Sequence, residues 1–233
     1  ICLGDNPSIS AAGWQNFFTS LRNSDTLLEE LHLWDNNIND AAVTSMVDAL
    51  NGIESLTCLD VATNPSISSA GWIALSTLLQ HPNSSLEDLT ISTHGGSNNR
   101  NINDEVAMSY ANALVNNKSI TTLGFGGGGD SRVSNNITAV GWDALANVLC
   151  NKTSIESIYS SNHTLYHVGH WSSDSSNRPT NLLSLLALNK DKNKSEVARQ
   201  KIVQYHFTNV GKIEDFVDMD INVMPHAICW IGR

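Results

Sequence analysis

Leu28-Glu29-Glu30-Leu31-His32-Leu33-Trp34-Asp35-Asn36-Asn37-Ile38 is answered 28 residues later by Leu56-Thr57-Cys58-Leu59-Asp60-Val61-Ala62-Thr63-Asn64-Pro65-Ser66-Ile67. Both copies read Leu-x-x-Leu-x-apolar-x-x-Asn and close on an isoleucine. Apolar and polar residues alternate through the first half, which is the period of a strand with one buried face. The asparagine that follows can hydrogen-bond neighbouring backbone in a turn, satisfying groups that a buried loop would leave open. Self-similarity at a period of roughly 20–50 residues marks a solenoid, because one unit cannot bury its apolar face until neighbours stack on it.

Aligned on the third apolar position, the units fall at Leu3, Leu33, Val61, Ile91, Phe125 and, least well, Ser160, at intervals of 30, 28, 30, 34 and 35 residues. His94, Gly128 and His163 replace the asparagine in the later units, so the repeat decays towards the C-terminus. The second half of each unit reads as a helix. Ser10-Ala11-Ala12-Gly13-Trp14, Ser68-Ser69-Ala70-Gly71-Trp72 and Thr138-Ala139-Val140-Gly141-Trp142 recur in alternate units, each opening on a residue type that suits an N-cap. The units between carry Ile38-Asn39-Asp40 and Ile102-Asn103-Asp104, where Asn or Asp supplies the cap. Val43, Met46, Val47 and Leu50, and likewise Val106, Tyr110 and Leu114, follow at helical spacing. The period is therefore a pair of units, one marked Gly-Trp and the other Asn-Asp. The three tryptophans occupy equivalent helix positions and are expected to pack between neighbouring units.

These strand-plus-helix units of two alternating kinds resemble the ribonuclease-inhibitor type of leucine-rich repeat, over about residues 1–165. The resemblance implies an α/β leucine-rich repeat solenoid, a horseshoe arc with parallel strands on the concave side and helices on the convex side. It also implies a cytoplasmic, non-enzymatic binding role. With their tail, the repeats also resemble uncharacterised repeat proteins of algae, which bring no known activity. Leu3 and Asn6 align with Leu33 and Asn36, which puts Ile1 inside a unit already under way. The expectation is an array over residues 1–171 that is truncated at its N-terminus.

After Trp171 the composition shifts, and residues 172–233 read as a loop and helical capping segment. Ser172–Thr180 is a polar loop, Leu182–Leu188 a short apolar helix and Lys190–Lys194 a charged linker. Ser195 is then placed to cap a helix with Ala198, Ile202 and Tyr205 on one face. A solenoid end needs a cover with a polar outer face, and this segment has the size and the place for it.

At 41% hydrophobic residues and a mean hydropathy of -0.16, the chain of 233 residues can bury a core. No apolar run approaches the roughly 20 residues that cross a bilayer, so no membrane partner is expected. The net charge of -10 is uneven: residues 1–177 hold five Lys and Arg against seventeen Asp and Glu, and the remainder eight against six. An acidic array repels phosphate backbones, which disfavours nucleic acid and favours a protein partner with a basic surface. The four scattered cysteines suit reduced, mostly buried thiols.

Candidate chemistry fails on spacing. Gly124–Asp130 is glycine-rich, but Ser131-Arg132-Val133 follows where a phosphate loop needs Gly-Lys-Ser/Thr. His163, His167 and His170 lack a nearby Cys or Glu to complete a metal site. No nucleophile sits in a recognisable setting. Glu29-Glu30 and Glu87-Asp88 recur at one register of two units, which suits a solvated face rather than a unique catalytic pair. No enzyme activity, cofactor or metal is expected.

Two surfaces remain as binding candidates. The first is the set of positions between the strand's core residues: Glu30, His32, Trp34 and Asp35; Asp60 and Thr63; Asp88, Thr90 and Ser92; then Thr122 and Tyr159. Stacked strands would set these side by side as an acidic face with aromatic anchors. The second is one loop edge, where the strand-to-helix connection lengthens from Asn36–Ile38 to His94–Arg100 and Gly126–Asn136, gathering His94, Arg100, Asp130 and Arg132. The expected function is protein–protein interaction through these surfaces. Two alternatives stand beside it: an activating protein of a small GTPase, as in one family with this repeat type, or the sensor end of a larger signalling protein.

Overall fold

A computed structural model describes residues 1–22, 27–51, 53–81, 83–92, 101–125, 135–169 and 178–207. Helix and strand alternate: α1 (Ala11–Arg22), β1 (Glu30–His32), α2 (Asp40–Leu50), β2 (Cys58–Asp60), α3 (Ser69–Ser76), β3 (Asp88–Thr90), α4 (Asp104–Leu114), β4 (Thr122–Gly124) and α5 (Ala139–Leu149). Then come α6 (Ile155–Ser160), β5 (His167–Val168), α7 (Thr180–Leu188) and α8 (Lys194–Ile202). The strands form one parallel sheet in chain order, β1 to β5, each helix making the crossover that a parallel pair requires.

The register stacks Leu31 on Leu59, Leu59 on Leu89, Leu89 on Leu123 and Leu123 on Val168, all buried. Trp14, Val43, Met46, Trp72, Tyr110, Trp142 and Leu145 meet this spine from the helices, making one continuous apolar core. The three repeat tryptophans are all buried in this core.

The asparagines after β1 and β2 each tie one unit to the last. Asn36 Nδ2 donates to the carbonyls of Leu3, Leu33 and Trp34, while its Oδ1 accepts from Asn6 N–H. One unit later Asn64 repeats the pattern, donating to Leu33, Val61 and Ala62 and accepting from Ile38 N–H. The preceding residues Asp5, Asp35 and Thr63 all take the left-handed conformation, with φ of 59°, 56° and 54°, so one tight turn recurs three times.

Contacts between neighbouring helix starts explain the alternation of Gly-Trp with Asn-Asp. Asn39 caps α2 by accepting from Ala42 N–H, which frees the next residue, Asp40, to reach the following helix. There Asp40 accepts from Ser68 N–H at 2.8 Å and from the Ser68 hydroxyl at 2.5 Å. Asp104 does the same for α5, accepting from Thr138 N–H, the Thr138 hydroxyl and Gly141 N–H at 2.7, 2.7 and 3.1 Å. A carboxylate at a helix start also meets the positive end of the helix dipole. The approach is so close that a Cβ on Gly71 would overlap Asp40 Oδ1 and come within 2.7 Å of Ile67 Cγ2; one on Gly141 would lie 2.7 Å from Asp104 Oδ1. The Asp of one unit and the Gly of the next thus require each other.

Gly71→Ala is therefore expected to destabilise by about 1–3 kcal/mol through overpacking, although alanine is elsewhere the better helix residue by about 1 kcal/mol. Removing the carboxylate as well removes the clash, so Asp40→Ala/Gly71→Ala should lose less than the sum of the single changes. Thermal melts of the four proteins measure this, and strictly additive losses would show that the two residues do not interact.

Beyond β4 the structure corrects the sequence reading. Ser160, aligned above as a strand position, ends α6, and the fifth strand lies at His167–Val168. An extra helix has entered between α5 and its strand. The true register follows a second asparagine, ahead of the strand: Asn162-x-x-Leu165-x-x-Val168 repeats Asn117-x-x-Ile120-x-x-Leu123. Asn117 Oδ1 accepts from Ser119 and Ile120 N–H, and Asn162 Oδ1 from Thr164 and Leu165 N–H. Asn193, not Ser195, caps α8. The thiols also differ from expectation: Cys150 is buried, Cys58 half-buried and Cys2 exposed, while Cys229 lies outside the described residues.

Residues after β5 bond back to it and to the turn just before it. Arg178 donates to the Val168 carbonyl, and the fully buried Asn189 donates to the carbonyls of Leu165 and Asn162. From α8 the fully buried Lys201 ammonium donates to Leu149 O at 2.7 Å, Asn162 O at 3.2 Å and His163 Nδ1 at 3.0 Å. A nitrogen that faces an ammonium must accept, so the proton of His163 sits on Nε2, which donates to Tyr159 O.

Candidate functional site

The side-chain period of two in β1–β4 turns the leucines inward and their neighbours outward. Parallel pairing then lines the outward residues into two rows, Glu30–Cys58–Asp88–Thr122–His167 and His32–Asp60–Thr90–Gly124. Neighbours in a row are separated by the strand spacing of about 4.8 Å. Carboxylates from three consecutive units therefore share one patch with the thiol of Cys58 between them. His32 Nε2 lies 3.4 Å from Glu30 Oε2, and Asp60 Oδ1 accepts from Ala62 N–H. Trp34, two residues beyond His32, packs its ring over Gly4.

The charges on this patch act on one another. Partial burial pushes the Cys58 thiol up to about 11, helped by the carboxylates of Asp88, Glu30 and Asp60. A thiol held protonated is a poor nucleophile and a poor metal ligand. Burial also raises Asp88 above the usual carboxylate range, with Asp60 adding to the rise; the Thr90 hydroxyl, donating at 3.3 Å, and His32 work the other way. The patch concentrates negative potential and provides no activated nucleophile.

The structure brings Glu30, His32, Asp60 and Asp88 together as the sequence suggested. Trp34 is half-buried and Asp35 exposed, in the turn just beyond. Thr90, Ser92 and Thr122 are buried rather than displayed, because close-stacked parallel strands let small side chains cover one another; a Cβ on Gly124 would come 3.0 Å from Thr90 Cγ2. Tyr159 is displaced altogether: it lies on α6, off the strand rows. Arg100 and Arg132, with His94 and Asp130, lie outside the described residues. Cys58 was missed, although its place two residues before Asp60 carried the signal. Among the described residues no group of three or more His, Cys, Asp and Glu side chains is arranged to hold a metal ion, and no helix is long and apolar enough to cross a membrane.

No protein-family model matches the sequence, and no curated protein matches it. Among solved structures the chain is similar to one described as Leiomodin-1 Actin-Binding Site 2 (ABS2), at 18% identity and a TM-score of 0.54, covering 86% of this chain and 99% of that one. At that identity the likeness is one of fold: a parallel-strand α/β array with helix and strand in repeating order.

Proposed function

We propose that this chain is a non-enzymatic, cytoplasmic protein-interaction module of the ribonuclease-inhibitor-like leucine-rich repeat type, with residues 172–233 covering the end of a horseshoe-shaped array. It grips a basic surface of its partner with the concave strand face, through Glu30, Asp60 and Asp88, with Trp34 at the margin. Arg100 and Arg132 belong to a second contact along the loop edge. The observation that carries this reading is the register that gathers carboxylates from three units into one patch, with His32 Nε2 3.4 Å from Glu30 Oε2. The shared fold with a structure described as an actin-binding site supports a binding role and makes actin the first partner to test.

Charge reversal tests the reading. Asp60→Lys/Asp88→Lys should slow association with actin, or with a partner isolated on the wild-type chain, by about tenfold at low ionic strength, and the difference should shrink at high salt. Association kinetics on an immobilised chain measure both. An unchanged association rate would sink the strand-face assignment.

A further inference from the structure

The chain is acidic, yet three lysines converge at one place. The turn between α7 and α8 carries Lys190 and Lys192, α8 opens on Lys194, and with Thr121, Thr164 and Tyr166 they line an open hollow of about 460 Å³. The turn is fixed from beneath: Asn189 is fully buried, Lys190 N–H donates to Ala187 O, Asp191 N–H donates to Leu188 O, and Asp191 Oδ1 accepts from Asn193 N–H. Lys194 Nζ donates to Asn189 O and Asp191 O, each at 2.8 Å, which sets the ammonium in place and leaves its third donor for a guest. α8 begins at Lys194, so the positive end of the helix dipole adds to the field. Lys190 and Lys192 stand exposed.

The guest's chemistry follows from what the hollow offers and what it lacks. A compact phosphate is cradled by converging backbone N–H groups. Here the threonine hydroxyls donate inward, Thr121 to Glu87 O and Thr164 to Asn162 Oδ1, while Thr164 N–H goes to Asn162 Oδ1 and Tyr166 N–H to Thr121 O. The remaining donors are the Tyr166 hydroxyl and ammonium groups on long stems, spread along a turn beside the tyrosine ring. Lysine stems and the ring supply apolar walls. That combination suits an extended chain carrying several carboxylates.

We propose that this hollow docks an acidic, extended peptide segment of a protein partner. This docking rests on the proposed interaction role only in that the partner is a polypeptide. Because Thr121 and Tyr166 directly precede β4 and β5, the hollow adjoins the strand rows, and one partner with a basic and an acidic stretch would engage both.

Fluorescence anisotropy with fluorescein-labelled hexaglutamate tests the hollow, and labelled hexalysine tests the strand face. Hexaglutamate should bind the wild type at low ionic strength. Lys190→Glu/Lys192→Glu, both at exposed positions, should weaken it by about tenfold or more with the melting temperature unchanged and hexalysine binding retained. Asp60→Lys/Asp88→Lys should abolish hexalysine binding and keep hexaglutamate binding. Absence of hexaglutamate binding to the wild type, or equal binding by the lysine variant, overturns the proposal. Displacement of hexaglutamate by inorganic pyrophosphate at equal concentration also overturns it, by assigning the hollow to a compact oxyanion. Loss of the hexalysine signal alone would instead count against the strand face.

Discussion

Asn64→Ala is expected to lower the unfolding free energy by about 3–5 kcal/mol, since each buried polar group left without a partner costs about 1–3 kcal/mol. Asn64 is fully buried, and its amide serves Leu33 O, Val61 O and Ala62 O while accepting from Ile38 N–H. Alanine leaves Val61 O and Ile38 N–H unserved at the seam between two units, and Leu33 O and Ala62 O each lose one of two donors, keeping Asn36 Nδ2 and Asp35 N–H. Asn64→Asp should be no milder: it keeps an acceptor for Ile38 but aims a carboxylate at three carbonyls. A loss of this size is a large share of the 5–15 kcal/mol typical of a whole domain. Urea unfolding checks it, and a loss below about 1 kcal/mol would mean that the turn satisfies its own backbone without the side chain.

Lys201 gives the second large effect. Lys201→Ala is expected to cost about 3–4 kcal/mol, because it opens a cavity where the stem packed and leaves Leu149 O without its donor. Lys201→Met restores most of the packing and should recover part of that loss. The pH profile separates the charge from the packing. Burial holds the Lys201 ammonium down at about 7, against an ordinary lysine near 10.5. Between about pH 7 and pH 8.5 the unfolded chain keeps that proton while the folded chain gives it up, so wild-type stability rises with pH there. Desolvation lowers Lys118 and Lys194 as well, and they contribute with the same sign. Above about pH 9 the raised thiols of Cys58 and Cys150 act in the opposite direction.

At the acid end, burial and the neighbouring Lys201 hold His163 down at about 4. Its contribution is present at pH 6.5 and is lost as pH falls towards 4, where the folded state must take up the proton. In Lys201→Met the rise between pH 7 and 8.5 should flatten. A slope as steep as that of the wild type would refute this account of the buried ammonium.

The legibility of the chain stops where the geometry of one unit no longer fixes the next. For Leu28–Ile67 the spacing of leucines and asparagines was sufficient, because strand, turn and helix each have a local period that shows in the residues. The Asn-Asp and Gly-Trp marks were legible as an alternation, but their reason was not: Asp40 and Gly71 lie 31 positions apart and meet only when two units stack. Tyr159 was misplaced for a related reason. The inserted α6 pushes the last strand ten residues beyond the extrapolated register, from an offset of 35 to one of 45, and only pairing with Thr122 and Leu123 reveals His167–Val168 as its place.

The candidate face divides in the same way. Glu30, Asp60 and Asp88 were found because alternation along a strand is a local property. That Thr90, Ser92 and Thr122 are covered, and that Cys58 stands among the carboxylates, depends on which strands are neighbours. The sequence by itself determined the repeat, the strand and helix periods, the outward carboxylates and the acidic balance, all set by residues within one unit. Tertiary structure alone decided the Asp40–Gly71 fit, the fifth strand, the buried Lys201–His163 contact and the gathering of Lys190, Lys192 and Lys194 beside Tyr166. Each of these joins residues that share no local period, and a contact of that kind exists only once stacking has brought the units together.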